Sequence, residues 1–373
     1  MRAVRSLVIR CVPYCVLVGT VLLAPWGPMA RAMTIHAQSV HGTWTNAPRM
    51  LAPVTSHQAV VLHDGRVLVL GGETLPRLPV PWVQVYDPST HVWSAAESMH
   101  IARIGESATI LHDGRVLVVG GLGRTLEDLD SAEIFDPRTG AWHDLPSLSQ
   151  PRFSQSASVL PDGRVLLVGG IVGGIISRTT LLFDPHQERF QPGPTTHLPH
   201  AQQCAVTLKH GRVLIAGGYG GGSELYDPQS DSWTVVAPAS LRTHPIMNAL
   251  PDGTVLLATG VNAGEHDLNT ARIFDPAHGS WASTSALHIQ RDAATSTQLP
   301  HGQVLVAGGE QTSGHVLHSA ELYDSIGHTW TSTQAMHVAR TAATASLLRN
   351  GTVLICGGAS FAGPLDSCEV FHP

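Results

Sequence analysis

Only one lysine, Lys209, stands among the 22 basic residues of this 373-residue chain, and charged side chains make up just 13% of it. Soluble domains usually carry about 25%. With 28 acids outnumbering the basic residues, no broad cationic surface for nucleic acid or an anionic membrane is available. Cysteine is scarce, at five residues, too few for a disulfide-built scaffold. Aromatics reach only 5%, yet the hydrophobic share of 43% is too high for a disordered chain. No His-x-x-x-His helix, Cys-x-x-Cys pair, phosphate loop or Gly-x-Ser-x-Gly elbow is present. What is plentiful is glycine, at 37 residues, with 25 prolines. Chains so interrupted do not build coiled coils or helical bundles. The length suits two ordinary domains or one large all-β unit.

Residues 1–32 contain four arginines and no acid, around an apolar run from Cys11 to Pro25. A run of that length fits a signal-peptide core and falls short of the roughly 20 apolar residues of a membrane span. Ala30-Arg31-Ala32 supplies small residues where a signal peptidase reads. The expectation is cleavage after Ala32, an exported protein (secreted, periplasmic or at the cell surface), and membrane attachment only if the segment stays uncleaved. Losing four arginines and no acids shifts the net charge from −6 to −10. Residues 33–39 read as a short linker.

Self-similarity organises the remainder. Gly-Gly doublets fall at 71–72, 120–121, 169–170, 217–218, 308–309 and 357–358, and Thr259-Gly260 fills the gap. Each closes an apolar run such as Val67–Leu70, and Asp-Gly, His-Gly or Asn-Gly precedes most runs. Dipeptides of this kind between apolar runs signal β-hairpins, here expected as type I′ turns with positive φ at both central residues. An aromatic-Asp-Pro signature follows in five units, as in Tyr86-Asp87-Pro88 and Phe135-Asp136-Pro137, with Tyr323-Asp324-Ser325 and Phe371-His372-Pro373 as worn copies. In the first six units a further aromatic follows it, among them Trp93, Trp142 and Phe190. Every unit of about 49 residues therefore reads as four short antiparallel strands. The seventh copy lacks its last strand, and His41-Gly42-Thr43-Trp44 supplies the missing piece.

This pattern resembles the kelch repeat over residues 40–373, and a period near 50 suits a four-stranded propeller blade. The resemblance implies an all-β, seven-bladed kelch-type β-propeller in one domain, its last blade closed by the N-terminal strand; six blades is the alternative. Seven-repeat kelch propellers are similar to the propeller of galactose oxidase, a copper-radical enzyme whose metal is held by tyrosines and histidines. Cys204 falls near the place of that enzyme's cross-linked cysteine. The expected tyrosine is replaced by Arg242-Thr243-His244, and no Tyr-His pair occurs. No cofactor and no metal ligand set is therefore assigned.

Antiparallel strand order puts the repetitive turns on one face and the variable loops on the other, where binding residues usually lie. Rim residues on that face include Arg77, Tyr219, Glu265, His266 and Asp267. An arginine column recurs in the loop entering each blade at 103, 152, 242, 291 and 340, with His200 and Val54 completing it. Inter-blade bonding is its plainer role, and an anion-attracting ring at the channel mouth the alternative. Just beyond it, His57, Glu106, Gln155, Gln203, His244 and Asp292 are expected at the channel mouth. Together with Arg103 they form the candidate ligand site, set against the simpler reading of a wet, polar mouth. Cys356 and Cys368, in neighbouring strands, read either as a cross-strand disulfide or as two small buried hydrophobes. The functional expectation is a monomeric, non-catalytic propeller binding a protein or glycan. A secreted carbohydrate-active enzyme on the same scaffold, an oxidase or sugar epimerase, is the alternative.

Overall fold

A computed structural model describes residues 42–74 and 78–373; the signal segment 1–32, the linker and rim residue Arg77 lie outside the described residues. Seven four-stranded antiparallel sheets, with two-stranded ribbons within 171–176 and 359–364, make up the described chain. The innermost strands are Gln58–Val61, Ser107–Ile110, Ser156–Val159, Cys204–Thr207, Ile246–Ala249, Thr295–Gln298 and Thr344–Leu347. Each packs against the next, and the seventh packs against the first, so the ring closes into a propeller.

Blade construction follows the residue pattern. The second strand of each blade, such as Val67–Leu70 or Val165–Val168, is buried at every position. Sheet faces sandwiched between two other sheets leave no side of the strand for polar residues, which explains the low charge content. Burying each Val or Leu contributes about 1.5–3 kcal/mol. On the outer strands Tyr86 packs on Trp93 with ring centroids 5.2 Å apart. The same pair recurs around the ring. The Trp indoles also staple blades together: Trp93 Nε1 donates to Pro48 O at 3.0 Å and Trp142 Nε1 to Glu97 O at 2.8 Å.

Blade 7 is the composite one. Thr43–Ala47 pairs antiparallel with Cys368–His372, Thr43 opposite His372 and Ala47 opposite Cys368. Trp44 packs on Phe371 at 5.0 Å and donates its Nε1 to Gln334 O of blade 6. Cys356 and Cys368 stand opposite each other in this blade and are joined by a disulfide.

The turns differ from the type I′ expectation. Gly65 N donates to Leu62 O while Leu62 N bonds Arg66 O, which leaves a three-residue loop. Gly65 is left-handed at φ +95° and Asp64 is not. The cause is the Asp64 carboxylate, which accepts the Arg66 amide at 3.0 Å and holds Asp64 in an ordinary right-handed turn. His210 of blade 4 departs from this with φ 72° beside Gly211 at 81°.

The arginine after these turns forms a strap to the next blade. Arg66 donates to Pro137 O, Arg115 to Pro185 O and Arg212 to Pro276 O. Thr352 takes this place in blade 7. There a recess of about 500 Å³ opens on the turn face between blades 7 and 1, lined by Asp64, Arg66, Asp87, Pro88, Ser89 and Arg349 among others.

Candidate functional site

The loop entering each blade does three jobs in successive residues. Its arginine packs the blade. Arg103 is fully buried and donates to Gly120 O, Ser131 O, Ser131 Oγ and, at 2.6 Å, to Glu133. Glu133 also caps the amides of His100 and Ile101. Arg291 with Glu321 and Arg340 with Glu369 repeat the arrangement. The arginines thus ring no opening, and Arg103 leaves the ligand site because no surface of it faces solvent. Blades 3 and 5 lack the carboxylate, with Leu181 and Arg272 in its place. Burial accordingly lowers the pKa of Arg152, and of Arg242 beside Arg272, to about 10.

Next to the arginine, one residue bridges to the loop after the glycine doublet: Ile104 with Leu122, Phe153 with Ile171, Ala201 with Tyr219, Asp292 with Glu310. The following residue is left-handed in every blade, with φ between 46° and 68° at Ser56, Gly105, Ser154, Gln202, His244, Ala293 and Ala342. These residues build a main-chain belt around the channel mouth. Ala342 N donates to Ala293 O, Ser56 N to Ala342 O, Ser154 N to Gly105 O and Gln202 N to Ser154 O. Among the described residues the belt is broken between blades 1 and 2 and on both sides of His244 in blade 5.

One residue further, His57, Glu106, Gln155 and Gln203 occupy equivalent positions. Gln155 Nε2 donates to Ser107 Oγ and Val119 O, and Gln203 Nε2 to Ser156 Oγ and Val168 O. His57 Nε2 meets Thr344 Oγ1 at 2.8 Å, and burial lowers its pKa to about 4, so the ring is neutral. Glu106 is 4% exposed with no hydrogen-bond partner for either oxygen. Burial raises its pKa to about 8.

His244 and Asp292 do not belong to this row; the equivalent positions are Pro245 and Ala294. They sit one and two residues nearer the arginine and meet each other instead, His244 Nδ1 lying 3.2 Å from Asp292 Oδ1. Burial works against the His244 charge, but the bond to Asp292 and the Asp292 and Glu310 charges outweigh it and raise the pKa. Glu310, which the sequence reading did not single out, completes the group. Its pKa is raised by burial and by the Asp292 and Asp267 charges, with His244 opposing. Asp267 is 7% exposed; its Oδ2 accepts Thr312 N and Oγ1, tying the loops of blades 5 and 6, while Oδ1 has no partner. Glu310 was open to detection as an acid directly after Gly308-Gly309, where blades 2 to 5 carry Leu122, Ile171, Tyr219 and Val261.

The mouth is therefore two-sided. Blades 2 to 4 contribute an apolar cluster of Leu122, Phe153, Ile171 and Ala201, flanked by Ile104 and Tyr219. Blades 5 and 6 contribute His244, Asp267, Asp292 and Glu310.

A ring of seven such blades is a kelch-repeat β-propeller. The Kelch motif family matches residues 55–100 and 106–149, the first two units. An F-box/kelch-repeat protein of Arabidopsis thaliana is 34% identical over 64 residues, which is 17% of this chain and 16% of that protein's length. Among solved structures, a fungal alcohol oxidase of the AA5 family in complex with copper superposes with a TM-score of 0.74 at 20% identity, over 89% of this chain and 76% of that one. That likeness is one of fold.

Among the described residues the side chains do not fit a copper centre built on two tyrosines. Tyr86, Tyr226 and Tyr323 are buried inside blades, their hydroxyls bonded to His91, Asp231 and His328. Cys204 is bonded through Sγ to Pro245 O, and burial pushes its thiol up to about 12, which keeps it protonated and unreactive.

Proposed function

We propose that this propeller is an exported, non-catalytic interaction protein that takes a protein partner across the channel mouth of its loop face. Kelch propellers generally bind proteins. The observation that carries the reading is the two-sidedness of the mouth. Four-stranded sheets with buried second strands and paired aromatics recur in all seven blades, yet at this face the equivalent positions differ in charge and polarity from blade to blade. Packing alone favours repetition, whereas a binding surface on a rigid frame favours local difference.

The test is a binding screen of the purified chain against secreted proteins and glycans, followed by variants on the two faces. Tyr219→Ala with Asp292→Asn is expected to abolish capture of the partner, while Arg138→Glu on the turn face leaves it intact. Loss of capture with the turn-face change alone overturns the placement, and capture of glycans only overturns the partner class. Export is checked separately by sequencing the mature N-terminus, expected at Met33.

A further inference from the structure

The group on blades 5 and 6 contains more acceptors than the protein uses. Asp267 is more than nine-tenths buried, yet its Oδ1 is unpartnered. The belt is broken on both sides of His244, so the main-chain carbonyls of Gln202 and His244 lack the bonds that Ser154 O, Ala293 O and Ala342 O have to neighbouring blades. Against its burial, the bond to Asp292 and the Asp292 and Glu310 charges raise the His244 pKa, and this one imidazole stands among three carboxylates, Asp292, Glu310 and Asp267. Burial first, and then the Asp292 and Asp267 charges, raise the Glu310 pKa, with His244 opposing.

We propose that this sector is a seat for an arginine side chain of the partner, its guanidinium held by Glu310, Asp292 and the free oxygen of Asp267. The proposal rests on the loop-face reading and names the chemistry of its anchor. A guanidinium presents five donors in a planar fork, and it can draw on acceptors spread over three loops, Asp267, Asp292 and Glu310, as a point charge cannot. A single metal ion does not: among the described residues, the group whose ligand atoms lie close enough together to share one ion is His100, Glu133 and Asp144, elsewhere in the molecule.

The probe is acetyl-Leu-Arg-Leu-amide, titrated into the full chain by calorimetry, with the citrulline peptide as a neutral match of the same shape. The arginine peptide is expected to bind at least about tenfold more tightly, as a charge-assisted contact at a partly desolvated site should. Glu310→Gln and Asp267→Asn each remove most of that advantage and leave citrulline binding unchanged. Thermal melts of both variants confirm that they remain folded. Equal affinity for the two peptides overturns the proposal, as does an undiminished arginine preference in both variants. Either failure leaves the loop-face reading to be judged by partner capture, which uses different substitutions and no peptide.

Discussion

Replacing Glu106 by glutamine should stabilise the propeller, by an amount that depends on pH. Gln155 and Gln203, in the equivalent positions of the next two blades, donate to Val119 O and Val168 O, the last carbonyls of the neighbouring second strands. The corresponding carbonyl beside Glu106 is that of Leu70, which pairs with Gln58 as Val119 pairs with Ser107. A carboxylate has nothing to donate there, and a carboxylic acid does. Burial raises the Glu106 pKa from 4.5 to about 8, so the native protein keeps a proton that the unfolded chain sheds above about pH 4.5. Native stability therefore falls between pH 4.5 and 8 and levels off beyond. Each pH unit is worth about 1.4 kcal/mol, so ionisation of the unfolded chain lowers native stability by about 3 kcal/mol at pH 7 and by under about 1 kcal/mol at pH 5. Glu106→Gln removes this dependence and restores the donor. Urea denaturation followed by tryptophan fluorescence at pH 5, 6, 7 and 8 should show the variant pulling ahead of the wild type as pH rises. A gap that stays constant over that range refutes the reasoning, and so does a wild type that is the more stable at pH 8.

Three further outcomes follow from the inter-blade contacts. Thr352→Arg restores the strap missing between blades 7 and 1, donating to Pro88 O across the recess; a gain of about 1 kcal/mol is expected in the same denaturation assay. Cys356→Ser with Cys368→Ser opens a loop with a sequence separation of 12 residues and should cost about 2–3 kcal/mol, a loss that reducing agent reproduces in the wild type and does not deepen in the variant. Glu133→Ala strands the buried Arg103 charge and uncaps His100 and Ile101, so a loss of about 3–5 kcal/mol is expected; Leu181→Ala in blade 3, which breaks no ion pair, separates the charge effect from lost packing.

The blades were legible because their determinants are local. Turn dipeptides, apolar runs and the paired aromatics act within one hairpin, and sevenfold recurrence made each visible. Even the closing of the last blade by Trp44 could be found by counting copies. The turn type was misjudged because the Asp64 carboxylate, bonding the amide two residues on, settles a backbone choice that the dipeptide alone leaves open. At the mouth, His57, Glu106, Gln155 and Gln203 were placed in register by counting from the arginine. His244 and Asp292 were assigned to the same row although they lie nearer the arginine, an offset that the same counting exposes, since it places Pro245 and Ala294 there. The partnership of His244 and Asp292 with Glu310 and Asp267 joins four loops separated by many residues in the chain. No local pattern encodes that meeting, which depends on the angle between adjacent blades.

The pairing of Thr43–Ala47 with Cys368–His372 also dictates when the ring can form. During synthesis the earliest of these strands must wait, unpaired, until more than 300 later residues have been made. Contacts so distant in sequence form slowly, because the closure entropy is lost before any bond repays it. Six blades can assemble in order while that wait lasts, but the ring keeps two raw sheet edges until the last strand arrives. Completion of the last blade is thus a late event, and a chain halted just before it would keep unpaired strand edges in blade 7, open to pairing with another chain.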